Sequence, residues 1–153
     1  MTTPAWHLRR AEADDYAFLR ALNEATMRDY VDAVWGWDDE AQAEFFNRRF
    51  DPARWQVIAT DESDIGVLIV DEADDEIYVA EIQVAPEWQG RGIGRAVLRA
   101  LMDDGAQRGK SVTLRVLRAN GRARALYERL GFEPFKETET HTYLRFAALL
   151  DGR

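Results

Sequence analysis

The chain of 153 residues is 46% hydrophobic and 31% charged, has no cysteine and only two histidines, and carries a formal net charge of −8. This length predicts a single domain over residues 1–153. The lack of cysteine excludes disulfides, a thiol nucleophile and a thiolate metal site. Because there are only two histidines as well, we expect no bound metal. There is neither a run of 18 apolar residues nor a charged-then-apolar leader, so we expect no membrane association and a cytoplasmic location.

The first third of the chain predicts one strand and two helices. Residues 6–10 read as a strand, and Asp14 is a candidate N-cap for a helix with one apolar face. Residues 27–38 place three aromatic and three aspartate side chains around a glycine. The acidic run that begins at Asp38 favours a second helix, which continues toward Phe50.

The middle of the chain predicts a meander of three strands. Residues 55–60, 65–70 and 77–84 are rich in β-branched and apolar side chains and are separated by polar turns. Pro86 cannot donate to a strand ladder, so the third strand should end before it. The meander therefore leads directly into the glycine-rich stretch that follows.

That glycine-rich stretch predicts an anion site. Glycines at positions 90, 92 and 94 allow close backbone approach, and residues 92–108 have the apolar spacing of a helix. The free N–H groups at the start of this helix suit a phosphate or pyrophosphate. Arg91 and Arg95 add positive charge beside it. No lysine follows as in a Walker loop, and the spacing is not that of a dinucleotide fold.

The last third predicts a parallel strand, a short helix and a final strand. Residues 112–117 alternate, and the helix before them makes this strand parallel to its predecessor. Asn120 can cap a helix over residues 122–130, and Gly131 suits its end. Residues 138–146 alternate again. Together these elements predict a mixed α/β sheet with a βαβ unit at its centre.

Charge is distributed unevenly along the chain. Residues 88–131 contain ten Arg or Lys and three Asp or Glu, a net charge of +7, which leaves −15 for the remainder. The basic part coincides with the predicted phosphate site. The acidic remainder argues against nucleic-acid binding and suits a cationic partner such as an amine, or it simply keeps the protein in solution.

Two blocks of sequence resemble one family. The segment Gln89-Gly90-Arg91-Gly92-Ile93-Gly94, placed after a strand, resembles the acyl-CoA signature of the GNAT superfamily of N-acetyltransferases. Asn120 followed by residues 125–132 resembles the second block of the same family. The resemblance implies the GNAT acyl-CoA N-acyltransferase fold, in which the fourth and fifth strands splay apart and helices cover both faces.

The resemblance also implies acetyl-CoA as donor and a set of residues that bind it. Backbone groups near Ile82 and Val84 would pair with the pantetheine amides, and Asn120 would contact the pantetheine arm in addition to capping its helix. The pyrophosphate would be held by residues of the glycine turn, namely Gln89, Gly90, Arg91, Gly92, Ile93, Gly94 and Arg95.

For catalysis, the resemblance places Tyr127 where its hydroxyl would protonate the departing thiolate. The alternative is that Tyr127 only packs its helix. Glu81 is a carboxylate in an apolar strand and is our candidate base; the alternative is an ion pair with Arg115. Some family members carry a glutamate near the position of Arg115, so an arginine here suggests either that ion pair or an acceptor that bears a carboxylate.

The resemblance implies that the acceptor is bound by a variable loop over residues 30–38 and by the late strands. Tyr30, Trp35 and Trp37 are candidate acceptor contacts, although tryptophans are more often core anchors. Further candidates are Gln83, Arg115, Tyr143 and, less strongly, His141. We therefore expect direct acetyl transfer to a primary amine, which could be a small amine, an amino acid or a peptide N-terminus. The alternatives are a non-catalytic CoA-binding or regulatory module and a protein acetyltransferase, and exposed sheet edges would permit a homodimer.

Overall fold

The computed structural model describes residues 2–148, and within that range the chain forms four α-helices and seven strands. The helices are α1 (Tyr16–Trp35), α2 (Asp39–Arg49), α3 (Ile93–Arg108) and α4 (Gly121–Leu130). The strands are β1 (His7–Arg10), β2 (Gln56–Ala59), β3 (Asp64–Glu72), β4 (Glu76–Val84), β5 (Ser111–Leu117), β6 (Glu133–Glu137) and β7 (His141–Phe146). None of the helices in this range is long and apolar enough to span a bilayer.

The strands form one mixed sheet in the order β1-β2-β3-β4-β5-β7-β6. The pairs β1–β2, β2–β3, β5–β7 and β6–β7 are antiparallel, and β4–β5 is parallel because α3 connects these two strands. The predicted mixed α/β class with a central βαβ unit is confirmed.

Contacts between Cα atoms divide the chain into two compact units. Unit 1 comprises Met1–Ile69 and Glu81–Ile93. In unit 1 the rings of Tyr16, Phe46, Phe50 and Trp55 form a cluster with centroid separations of 5.4 to 5.9 Å. Edge-to-face contacts of this kind stabilise a core beyond the area they bury. The cluster joins α1 and α2 to the start of β2.

Unit 2 comprises Val70–Ala80 and Gly94–Arg153. Its largest fully buried side chains include Leu98 of α3, Leu114 of β5 and Leu144 of β7. Leu114 and Leu144 lie directly opposite each other in the β5–β7 ladder. At the end of α3, Arg108 and Lys110 both contact the carboxylate of Glu72, at 2.7 and 3.0 Å. That contact holds the pKa of Glu72 below its usual range.

Two predictions about elements are wrong. The predicted loop over residues 30–38 is mostly helix, because α1 continues to Trp35 and only residues 36–38 separate it from α2. Val31 is buried within this part of α1, so the stretch packs as helix despite its aspartates. The predicted strand over residues 138–146 begins at His141, and β6 was missed because all five of its side chains are exposed and show no alternation.

Candidate functional site

The glycine turn joins the end of β4 to α3. A short 3-10 helix, Pro86–Trp88, stops the strand as the proline predicts. The Gln89 side chain then folds back, and its Nε2 atom donates to the Val84 carbonyl at 2.9 Å. Gln89 therefore fixes the exit of the chain from β4.

Two glycines give the turn its shape. Gly90 has a φ of 76° and Gly92 a φ of 85°, values that only glycine adopts without strain. A Cβ atom at Gly92 would lie 2.7 Å from the Thr3 hydroxyl, whereas one at Gly90 would meet nothing within 4 Å. The turn is thus packed on one side at Gly92 and open at Gly90.

Helix α3 starts immediately after the turn, at the buried Ile93. The first N–H groups of a helix have no partner inside it, and the helix dipole favours an anion at this end. The Arg91 guanidinium stacks on the Trp88 ring at 4.6 Å, and Arg95, the third residue of the helix, is exposed. The predicted turn and the helix after it are present, and the anion site at this helix terminus stays a prediction.

The ladder between β4 and β5 is shorter than the strands. It runs from Glu76 opposite Ser111 to Val79 opposite Leu114, although β4 continues to Val84 and β5 to Leu117. Within residues 2–148, Arg115 is the first residue of β5 beyond this ladder, and it still pairs with β7 through Tyr143. This ladder therefore pairs only the first four residues of each strand, all of which belong to unit 2.

Tyr127 and Asn120 lie on the helix that follows β5. The Asn120 side chain accepts a hydrogen bond from the Ala123 N–H at 3.1 Å, and so caps α4 as predicted. Gly131 ends the helix in the left-handed conformation. Tyr127 is only 8% exposed, and its ring lies 6.2 Å from that of Phe132. The tyrosine is thus held by packing.

Glu81 and Gln83 lie two residues apart near the end of β4, and both contact helices of unit 1. The Glu81 carboxylate lies 3.6 Å from the Arg49 guanidinium at the end of α2. Gln83 is 6% exposed and donates from Nε2 to the Asn23 side-chain oxygen of α1 at 3.0 Å. Neither Arg49 nor Asn23 was identified from the sequence, because no local pattern links positions that are 32 and 60 residues apart.

The predicted acceptor contacts on α1 have different surroundings. Trp35, at the end of α1, is 59% exposed and is not a core anchor. Trp37 is fixed by its neighbours, since its backbone N–H donates to Asp32 at 2.9 Å and its indole N–H donates to Asp39 at 2.7 Å. Of these three predicted contacts, Trp35 is the exposed one, and Tyr30 and Trp37 are half-buried.

Arg115, Tyr143 and His141 share one face of the β5–β7 ladder. Arg115 lies directly opposite Tyr143, and His141 is two residues from Tyr143 on the same face. Burial, and then the charge of Arg115, lower the pKa of His141. The described residues contain no cluster of three His, Cys, Asp or Glu side chains that could hold a metal ion.

Comparison with known proteins now identifies the family. Residues 19–132, most of the chain, match the family model for the acetyltransferase (GNAT) family. The chain belongs to the GNAT acetyltransferase family. Both motifs on which the resemblance was based, the glycine turn and the Tyr127 block, lie inside the matched range, whereas His141 and Tyr143 lie beyond it.

Named GNAT relatives match the chain over short segments. One segment of 59 residues is 44% identical to the ribosomal protein bS18-alanine N-acetyltransferase of Escherichia coli (strain K12), and covers 38% of this chain and 40% of that protein. Another, of 67 residues, is 48% identical to mycothiol acetyltransferase of Beutenbergia cavernae, and covers 43% of this chain and 22% of that protein. Each match thus spans less than half of the relative.

The GNAT fold extends over nearly the whole chain. The crystal structure of PaiA N-acetyltransferase from Thermoplasma acidophilum, in complex with coenzyme A, superposes with a TM-score of 0.76 at 12% sequence identity. The superposition covers 94% of this chain and 99% of that one. At this level of identity the likeness is one of fold.

Proposed function

We propose that this GNAT family member is an acetyl-CoA-dependent N-acetyltransferase that transfers the acetyl group directly to a primary amine. The observation that carries the proposal is the glycine turn that leads into the N-terminus of α3, within a chain of this family. The names of the matched relatives, which act on an alanine of a ribosomal protein or in mycothiol acetylation, support an amine as acceptor.

The turn fits the pyrophosphate of the donor. Gly90 leaves open space where any other residue would place a Cβ atom, so a phosphate oxygen can approach the backbone there. The N–H groups from Gly92 to Gly94 would donate to the phosphate oxygens, and Arg95 would add charge. Gln89 contributes by holding the turn against Val84, and Arg91 by its charge above Trp88.

The free edge of β5 fits the pantetheine arm. Backbone groups that leave a ladder need another partner, and an amide-containing ligand can supply one. We assign this role to the edge of β5 that begins at Arg115, together with Asn120 at the start of α4. On the β4 side, Ile82 and Val84 remain the predicted partners.

Acetyl-CoA supplies a thioester whose carbonyl carbon the amine attacks and whose thiolate leaves. Tyr127 would donate its hydroxyl proton to that thiolate, and its packing against Phe132 limits the positions the ring can take. Glu81 would accept the proton that the amine loses, directly or through water. Its neighbour Arg49 places a cation 3.6 Å from the carboxylate.

The first test is binding. Calorimetric titration with acetyl-CoA should show binding, CoA should compete with it, and ATP should bind far more weakly. Binding to the folded state should also raise the melting temperature with the logarithm of donor concentration. If acetyl-CoA does not bind at millimolar concentration, the proposal is wrong and the glycine turn is only structural.

The second test is catalysis by Tyr127. Tyr127→Phe should lower kcat by about 100-fold or more, the usual contribution of a positioned acid, with the donor Kd nearly unchanged. Tyr16→Phe is a matched control, because the Tyr16 hydroxyl contacts Asn47 and the Tyr16 ring belongs to the aromatic cluster of unit 1. Turnover is followed by release of free thiol. An unchanged kcat in Tyr127→Phe would remove this residue from the mechanism, and donor binding without any turnover would indicate a non-catalytic module.

Finer features of the function stay predictions from the sequence. These are the single domain over residues 1–153, the cytoplasmic location, the homodimer and the acceptor contacts of Tyr30, Trp35, Trp37, Gln83 and Tyr143. Competition between a protein acceptor and free amines would separate a protein acetyltransferase from an enzyme that acts on small amines.

A further inference from the structure

Arg115 is the residue of β5 that directly follows the end of the β4–β5 ladder. The β4–β5 ladder ends one residue before it, at Leu114, and β7 continues to pair with β5 on the other side. The Arg115 side chain is exposed. It therefore lies on a face of the β5–β7 ladder, directly after the end of the β4–β5 ladder.

Arg115 has no carboxylate partner among residues 2–148, where neither an ion pair nor a side-chain hydrogen bond of this residue is found. Arg9 of β1, in contrast, contacts both Asp15 and Asp64. The surroundings agree with this, because the positive charge of Arg115 contributes to the lowered pKa of the nearby His141. A guanidinium with no protein partner on an acidic protein is available to an anionic ligand.

The same face offers further polar contacts. Tyr143 lies directly across the ladder from Arg115 and can donate a hydrogen bond through its hydroxyl. Thr113, two residues before Arg115, is 3% exposed, and within the described part of the chain its hydroxyl has no hydrogen-bond partner. A buried hydroxyl that lacks a partner is unfavourable unless a ligand or water supplies one. The face thus combines a free cation with neutral donors.

We propose that Arg115 binds a carboxylate of the acceptor, so that the acceptors of this protein are primary amines that also carry a carboxylate group. This proposal rests on the proposed N-acetyltransferase function. The planar guanidinium can hold a carboxylate through two parallel hydrogen bonds, which fixes the acceptor's orientation as well as its position. Once the carboxylate is fixed at the end of the β4–β5 ladder, the amine at the other end of the acceptor is free to reach the thioester.

The experiment compares matched acceptors that differ only in this group. Glycine, β-alanine and 4-aminobutyrate are each compared with the corresponding primary amide, and rates are expressed per neutral amine because the two members of a pair differ in amine pKa. Phosphoethanolamine tests a phosphate in place of the carboxylate. The wild type should prefer the carboxylate member of at least one pair by about tenfold or more in kcat/KM.

Three variants test whether Arg115 causes the preference for carboxylate acceptors. Arg115→Gln should abolish it, mainly by raising KM for the carboxylate acceptor to the level of the amide in the same pair. Arg115→Lys should restore part of it, since the charge remains and the two-pronged geometry is lost. Arg145→Gln is the matched control: Arg145 lies on the same face of β7 but stacks on Phe135 at 4.1 Å, and this variant should keep the preference.

The outcomes separate this proposal from the function on which it rests. Failure of acetyl-CoA to bind overturns both. If acetyl-CoA binds and amines are acetylated, but the amides or phosphoethanolamine react as well as the carboxylates, or the carboxylate acceptors do not react, only the role of Arg115 is wrong. Donor binding without acetylation of any amine overturns both. Retention of the preference in Arg115→Gln likewise overturns it, and a melting temperature equal to that of the wild type shows that the variant is folded.

Discussion

Gly66 of β3 lies against the backbone of Gln83, near the end of β4 in unit 1. A Cβ atom at this position would overlap the Gln83 carbonyl oxygen, at a distance below the 3.0 Å that real Cβ atoms keep, and would lie 3.2 Å from the Ile58 side chain. The Ala85 N–H donates to the Ile65 carbonyl at 2.8 Å, which holds the two segments together. Gly66→Ala must therefore move backbone, not a flexible side chain.

The cost of this change can be estimated. Added atoms in a packed core that force backbone shifts typically cost about 1–3 kcal/mol, and the smaller entropy of the unfolded alanine chain offsets about 0.4–1 kcal/mol of that. A net loss of about 1–2 kcal/mol in the free energy of unfolding lowers the melting temperature by about 2–8 °C in a protein of this size.

The melting temperatures of both proteins are measured by circular dichroism and calorimetry without ligand. Gly121→Ala provides the control, because Gly121 is the first residue of α4 and its Cβ would meet nothing within 4 Å. That variant should be unchanged or up to about 1 kcal/mol more stable. A melting temperature of Gly66→Ala within about 1 °C of the wild type would show that the two strands can separate at no cost, and would refute the packing argument.

Two further predictions concern unit 2. Asn120→Ala removes the hydrogen bond from the Ala123 N–H and should lower the free energy of unfolding by about 1 kcal/mol in a denaturant titration. Asn120→Asp should keep the cap, because aspartate can accept the same hydrogen bond. Equal losses of stability in both variants would show that the cap contributes nothing. Since the pKa of His141 is lowered in the folded state, its contribution to stability is complete above about pH 6.5 and is lost as the pH falls through the folded pKa. His141→Gln should flatten that acid limb, and an NMR titration of Arg115→Gln should show a partial rise in the pKa of His141, because burial, the larger cause, remains.

The sequence determined the elements near the glycine turn and the family. Pro86, the glycines and the apolar spacing of α3 act over a few residues, so the end of β4, the turn and the start of the helix follow from local geometry. The same holds for the cap at Asn120 and the end of α4 at Gly131. Where local signals conflicted, as over residues 30–38, or were weak, as in the exposed β6, the prediction was wrong.

Only the tertiary structure decided which distant side chains meet. Arg49 beside Glu81 and Asn23 beside Gln83 depend on how α1 and α2 pack within unit 1. The end of the β4–β5 ladder at Leu114, and with it the position of Arg115, depends on strand register and on where two strands diverge. Hydrophobic periodicity predicts that a strand exists, but it carries no information on how many of its residues pair with a neighbouring strand. The number of paired residues decides which residues of β4 and β5 remain for a ligand.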